Sequence, residues 1–187
     1  TDGCVLRPCR PTCPKTLWSI TALQCIRELV CRDQRWAPNC MSNLPFTIEP
    51  VRSRQSVKAA AALFEAYASS LEIDLVYQHF DAELAALPGK YAPPEGELPL
   101  ARDECGTPVG CVGVRVLDSD YCEMKRLYVS PGARRLGLGR ALCVAMIEKA
   151  KGIGYREVRL DTLPTMAQAL NLYVELGFIP IAPYYET

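Results

Sequence analysis

The sequence predicts a mixed α/β domain of the α+β kind, a mostly antiparallel central sheet flanked by helices. Three observations predict it. Val57, Ala60, Ala61, Phe64, Tyr67 and Ala68 recur at helical spacing and form one apolar stripe. Val112, Val114 and Val116 alternate, so one face of a strand is apolar. Strand-like segments joined by tight turns come first and then alternate with helices, an antiparallel meander followed by parallel crossovers.

The elements follow in order. Residues 46–51 read as a short strand and 55–70 as the helix carrying the stripe. A second short helix at 81–87 is closed by Pro88-Gly89, and 90–96 is a Pro-rich loop. Residues 98–103 and 108–117 pair as a hairpin across the turn Asp103-Glu104-Cys105-Gly106. A strand at 121–129 ends at Ser130-Pro131-Gly132. The helix at 138–151 buries Leu138, Ala141, Leu142, Ala145 and Met146, and Gly152 is expected to cap it. A strand at 155–160, a helix at 166–176 ended by Gly177, and a last strand at 178–182 complete the series.

The 187 residues suffice for one domain with a sizeable core. The formal net charge is zero, which favours neither nucleic acid nor an anionic membrane as partner. Before Met41, six basic side chains stand against three acidic ones, so the remainder carries an excess of acid that would tolerate a cationic amine or is simply a solvated mixed surface. Six of the ten cysteines also precede Met41. None is spaced as Cys-x-x-Cys, and the one histidine, His79, is remote, so no metal site is expected. Residues 17–26 are too short and polar to span a bilayer. The expected organisation is a Cys-rich leader, 1–44, poorly ordered or not native, with Met41 as the natural start, and a folded domain at 45–187 in the cytoplasm. An exported module with leader disulfides and an organelle-targeting segment are the alternatives.

The informative motif is Arg134-Arg135-Leu136-Gly137-Leu138-Gly139, between a strand and a helix. A P-loop needs Lys and then Ser or Thr after its last glycine, and this turn has neither. The dinucleotide fingerprint needs a third glycine where Leu142 stands. What remains is a glycine pair at a helix start, where the backbone can approach a ligand and unpaired N–H groups and the helix dipole favour an anion. Arg134, Arg135 and Arg140 add charge-assisted donors. A glycine-rich turn with solvated arginines is the plain alternative.

The flanks supply context. The turn fits [Q/R]-x-x-G-x-[G/A], follows Glu123-Met124-Lys125-Arg126-Leu127-Tyr128-Val129, and precedes Arg159-Leu160-Asp161-Thr162-Leu163-Pro164 and Ala169-Leu170-Asn171-Leu172-Tyr173-Val174-Glu175-Leu176-Gly177-Phe178. The combination resembles the GNAT superfamily of acetyl-CoA-dependent N-acetyltransferases, from about residue 46 to the C-terminus. The resemblance implies that strands 121–129 and 155–160 splay and admit the pantetheine arm. It implies acetyl-CoA as co-substrate, with backbone groups of Leu127, Tyr128 and Val129 on the pantetheine and thioester. Arg134, Arg135, Leu136, Gly137, Leu138, Gly139 and Arg140 would hold the pyrophosphate. Tyr173 would protonate the departing thiolate, and it also reads as a core aromatic sharing a helix face with Leu170 and Val174. Glu123 would take a proton from the amine, or else pair only with Arg126 or solvent.

The chain departs from the family pattern in two ways. Met166 stands where many relatives have Asn, and the chain stops before the family's final strand, so that either it is a fragment or the edge beside 178–182 is left open. Cys111 and Cys122 have no accompanying base and read as packing residues, and His79 has no recognisable partner. The implied reaction is direct acetyl transfer to a primary amine of a small molecule or peptide. The alternative is a non-catalytic CoA-binding or interaction domain. The acceptor is not legible, Glu72 and Asp74 being its one hint, and a homodimer is left open.

Overall fold

The computed structural model describes residues 18–23, 45–71, 79–181 and 184, the side chains of 18–23 excepted. Five strands follow one another across the sheet: β2 (Phe46–Pro50), β3 (Pro99–Asp103), β4 (Pro108–Val116), β5 (Tyr121–Val129) and β6 (Glu157–Thr162). Beyond β6 lie β1 (Trp18–Leu23) and then β7 (Ile179–Ile181). All neighbours are antiparallel except β5 and β6. The expected α+β class with a mostly antiparallel sheet is what the structure has. The position beside β7, expected to be open, is taken by β1, a segment read from sequence as leader.

Helices α1 (Arg54–Ser69) and α2 (Phe80–Ala85) cover one face, and α3 (Leu138–Ile153) and α4 (Ala167–Glu175) the other. The pleat sorts β4 between them. Val112 and Val114 enter the core under α3 and α4, while Cys111 joins the core under α1 with Phe64, Leu100 and Tyr91. Boundaries shift from the sequence reading in two places. Helix α3 runs past Gly152 and stops at Gly154, whose φ of 114° makes the left-handed cap and whose N–H reaches Ala150 and Lys151. Strand β6 starts at Glu157 rather than 155, because Tyr155 and Arg156 are spent on the turn, with the Arg156 N–H bonded to Asp120.

Candidate active site

Parallel pairing between β5 and β6 lasts three residues, Tyr121 with Glu157, Cys122 with Val158, and Glu123 with Arg159. Beyond that point the strands part. Lys125 and Asp161 face each other across the opening, the ammonium 2.7 Å from the carboxylate and both nearly buried. The other side of β5 is irregular too. Cys111 lies opposite Tyr128 but Gly113 opposite Lys125, so Arg126 and Leu127 together oppose Val112. This is a β-bulge, and Arg126 takes the left-handed conformation, with φ 58°.

The parting strands open into a cleft of about 980 Å³. Leu127, Tyr128 and Val129 form its floor, and Leu163 to Ala169 and Leu172 form one wall. The opposite rim is the glycine-rich turn, contributing Arg134, Arg135, Gly137, Leu138, Gly139 and Arg140. Leu136 is the one predicted turn residue outside the lining, with about half its surface exposed. Arg135 and Gly137 are both left-handed, with φ 66° and 79°, and Gly137 caps α3. The first intrahelical bond runs from Ala141 to Gly137, so the amides of Leu138, Gly139 and Arg140 lie in the helix turn that leaves donors unmatched. The dipole of the sixteen-residue α3 adds positive potential there. Arg134 donates to the Val129 carbonyl at 3.1 Å, tying the rim to the floor, and Arg140 pairs with Glu175. The arrangement suits an elongated ligand with an anionic group at the turn and an extended arm along β5.

The two predicted catalytic side chains lie differently. Tyr173 is buried on α4, its ring 5.6 Å from Phe178, behind the cleft wall rather than on its lining. Burial, followed by the nearby Cys143, Tyr67 and Asp161, pushes its hydroxyl well above the ordinary value, so it stays protonated. Glu123 is fully buried on β5. It accepts from Arg115 at 2.7 Å and from the Tyr184 hydroxyl at 2.8 Å, and Lys125 lies 3.3 Å away. Arg126, the partner weighed from sequence, is instead bonded to Glu83.

Cys111 and Cys122 are buried, and burial pushes both thiols up, that of Cys122 to about 12. Each is held as a neutral donor, to the carbonyls of Arg126 and Glu157, which disfavours a thiolate nucleophile. His79 is exposed and makes no side-chain cap. Met166, standing in place of the family's Asn, lines the cleft and accepts from the Thr162 hydroxyl through sulfur. Glu72 and Asp74 lie outside the described residues. Among the described residues no cluster of His, Cys, Asp and Glu is gathered as for a metal, and no helix is long and apolar enough to cross a membrane. Sequence reasoning missed Glu83 and Tyr91, and weighed Arg126 only as a partner of Glu123. No local pattern joins the three, because the bulge that brings them together depends on strand register.

Comparison with known proteins agrees with this geometry. Residues 60–178 match the profile of the acetyltransferase (GNAT) family. The chain is 41% identical over 141 residues to an uncharacterized N-acetyltransferase of Schizosaccharomyces pombe, covering 75% of this chain and 86% of that one. It is 27% identical to another of Dictyostelium discoideum, over 74% and 92%. Among solved structures, a GNAT-family acetyltransferase of Staphylococcus aureus superposes with a TM-score of 0.64 at 22% identity, over 73% of this chain and 86% of that one. AAC(6')-Iy, in complex with the bisubstrate analog CoA-S-monomethyl-acetylneamine, shares the fold with a TM-score of 0.55 at 16% identity, over 76% and 97%.

Proposed function

The chain belongs to the GNAT family of acetyltransferases and is an N-acetyltransferase; from that premise we propose that it moves an acetyl group from acetyl-CoA to a primary amine by direct attack. The observation that carries this reading is the cleft itself. A pyrophosphate fits the turn at Arg134–Gly139 and the start of α3, and the pantetheine runs along Leu127 to Val129 where β6 has moved away. The thioester then lies at the bulge, where the Leu127 N–H polarises its carbonyl. The neutral amine attacks that carbon, and a carbon–nitrogen bond forms as the carbon–sulfur bond breaks. The surplus amine proton passes to Glu123 directly or through water, and the thiolate takes a proton from Tyr173. The acceptor is a small molecule or peptide amine, and the reaction belongs in the cytoplasm. Ahead of Met41, Trp18–Leu23 adds a strand to the sheet of this domain, between β6 and β7.

Acetyl-CoA-dependent thiol release across a panel of amines tests the reading. Tyr173→Phe is expected to lower kcat about a hundredfold, and Glu123→Gln to lower it by a smaller factor. A second reading, CoA binding without turnover, is favoured by two observations. The Glu123 carboxylate is enclosed by Arg115, Lys125 and Tyr184, and Tyr173 stands off the cleft lining. Tight CoA binding with no thiol release on any amine would establish that second reading.

A further inference from the structure

Arg126 is the feature of the sheet that the scheme above leaves unused. A left-handed arginine is strained, and such a residue persists only where its surroundings over-determine it. Here they do. Its guanidinium is buried, 3% exposed, and Glu83 takes it in a two-point grip, Nε at 3.0 Å and Nη2 at 2.7 Å. The rings of Phe80 and Tyr67 lie 5.2 Å and 5.9 Å from the charge. The Arg126 carbonyl accepts from the Cys111 thiol.

Glu83 is held in turn. The buried Tyr91 hydroxyl donates to it at 2.7 Å, and the Tyr91 ring rests on the backbone of β4 at the point where regular pairing resumes. A Cβ on Gly113 would lie 2.5 Å from that ring, so no other residue fits there without displacing it. Burial raises the Glu83 pKa, but Arg126 and Tyr91 outweigh it and hold the carboxyl below its ordinary range. The carboxylate therefore stays charged and suits a clamp, not a base.

The sequence neighbour of this clamped residue is Leu127, on the cleft floor. We propose that Glu83 is a positioning residue for acetyl transfer: by gripping Arg126 it fixes the β5 bulge and hence the direction of the Leu127 N–H at the thioester carbonyl. The inference rests on the reading that this N–H polarises the carbonyl. Glu83 touches neither substrate, and its effect passes through two covalent neighbours. Misplacing a donor by a fraction of an ångström weakens a transition-state contact while leaving pyrophosphate and pantetheine binding intact.

The test compares the full chain with Glu83→Gln, which keeps the shape and removes the charge. The expected result is a kcat lowered about ten- to a hundredfold with KM for acetyl-CoA changed less than about threefold. In infrared spectra of bound acetyl-CoA carrying a ¹³C-labelled carbonyl, the wild type is expected to show a lowered carbonyl frequency and the variant a return toward the free value. A clamp that serves only the fold would lower Tm and leave kcat and the carbonyl band unchanged, and that result overturns the proposal. Should Glu83→Gln fail to fold, Arg126→Gly together with Glu83→Gln removes both charges and places glycine where φ is positive. A folded double variant with wild-type kcat overturns the proposal equally. Failure of the underlying reading shows in a different arm: a wild type that binds acetyl-CoA with an unshifted carbonyl band and no turnover sinks the scheme, and the clamp's purpose with it.

Discussion

At Gly137 the backbone is left-handed, φ 79°, and a Cβ there would meet nothing within 4 Å, so conformation alone calls for glycine. Gly139 differs. It sits in the first turn of α3 with ordinary φ, and a Cβ would make plain van der Waals contact with Leu172 at 3.5 Å. The two glycines thus answer to different demands, and alanine separates them. Gly137→Ala is expected to destabilise the fold by about 1 kcal/mol through its strained φ, seen as a lowered Tm. Gly139→Ala is expected to raise Tm slightly, since alanine is the better helix former. It places a methyl group in the cleft, so KM for acetyl-CoA should rise. A Gly139→Ala protein with unchanged KM would show that no ligand approaches the helix start closely.

Helix α1 shows how local chemistry sets an element. Ser53 caps it by accepting from the Ser56 N–H at 3.0 Å, and Ser56 answers by accepting from the Ser53 N–H at 2.9 Å. Ser53→Ala is expected to cost about 1 kcal/mol, measured by urea unfolding, with KM for acetyl-CoA unaltered because Ser53 takes no part in lining the cleft. Such local signals were legible in the sequence: the α1 stripe, the alternation of Val112 and Val114, and the glycine-rich turn all fall where periodicity and turn chemistry put them. Pairing was not. The bulge at Arg126, the three-residue contact of β5 with β6, and the grip of Glu83 on Arg126 arise from register between distant segments, which no local pattern encodes. The halt of α3 at Gly154 rather than Gly152 has a similar cause. Both glycines suit a cap, and the hydrogen bond of Arg156 to Asp120 selects the later one by fixing where β6 begins. Of the candidate site, the turn was readable from residue type and spacing, and the β5 floor only from the family resemblance. The enclosure of Glu123 by Arg115 and Lys125 was not, because these partners lie on adjacent strands or two residues along the same one.

Across the whole molecule the sheet separates two cores, and charged groups stitch the layers where apolar contact ends. Glu97 is the clearest stitch. It is 3% exposed and bridges in isolation to Val114. Its carboxylate accepts two bonds from Arg52 at 2.6 Å and one from the Leu98 N–H at 3.1 Å, and lies 3.3 Å from Lys149 of α3. It therefore joins the approach to α1, the start of β3 and the far helix α3. Burial raises its pKa, and Arg52, the Leu98 N–H and Lys149 together outweigh burial and hold it below the ordinary carboxylate range. Its sign is that of a depressed acid: the unfolded chain binds the proton more readily, so the stabilisation is complete above the unfolded pKa and disappears as pH falls through the folded one. The Arg52 and Lys149 side chains are both about half exposed, so they return to water at little cost once the carboxylate is gone. Glu97→Gln should consequently be destabilised at neutral pH yet lose stability more gently on acidification. Urea unfolding at a series of pH values is expected to show the wild-type and variant curves converging as pH drops below the ordinary carboxylate range. Curves that stay parallel would mean that Glu97 contributes shape and hydrogen bonds but no charge to the union of the two layers.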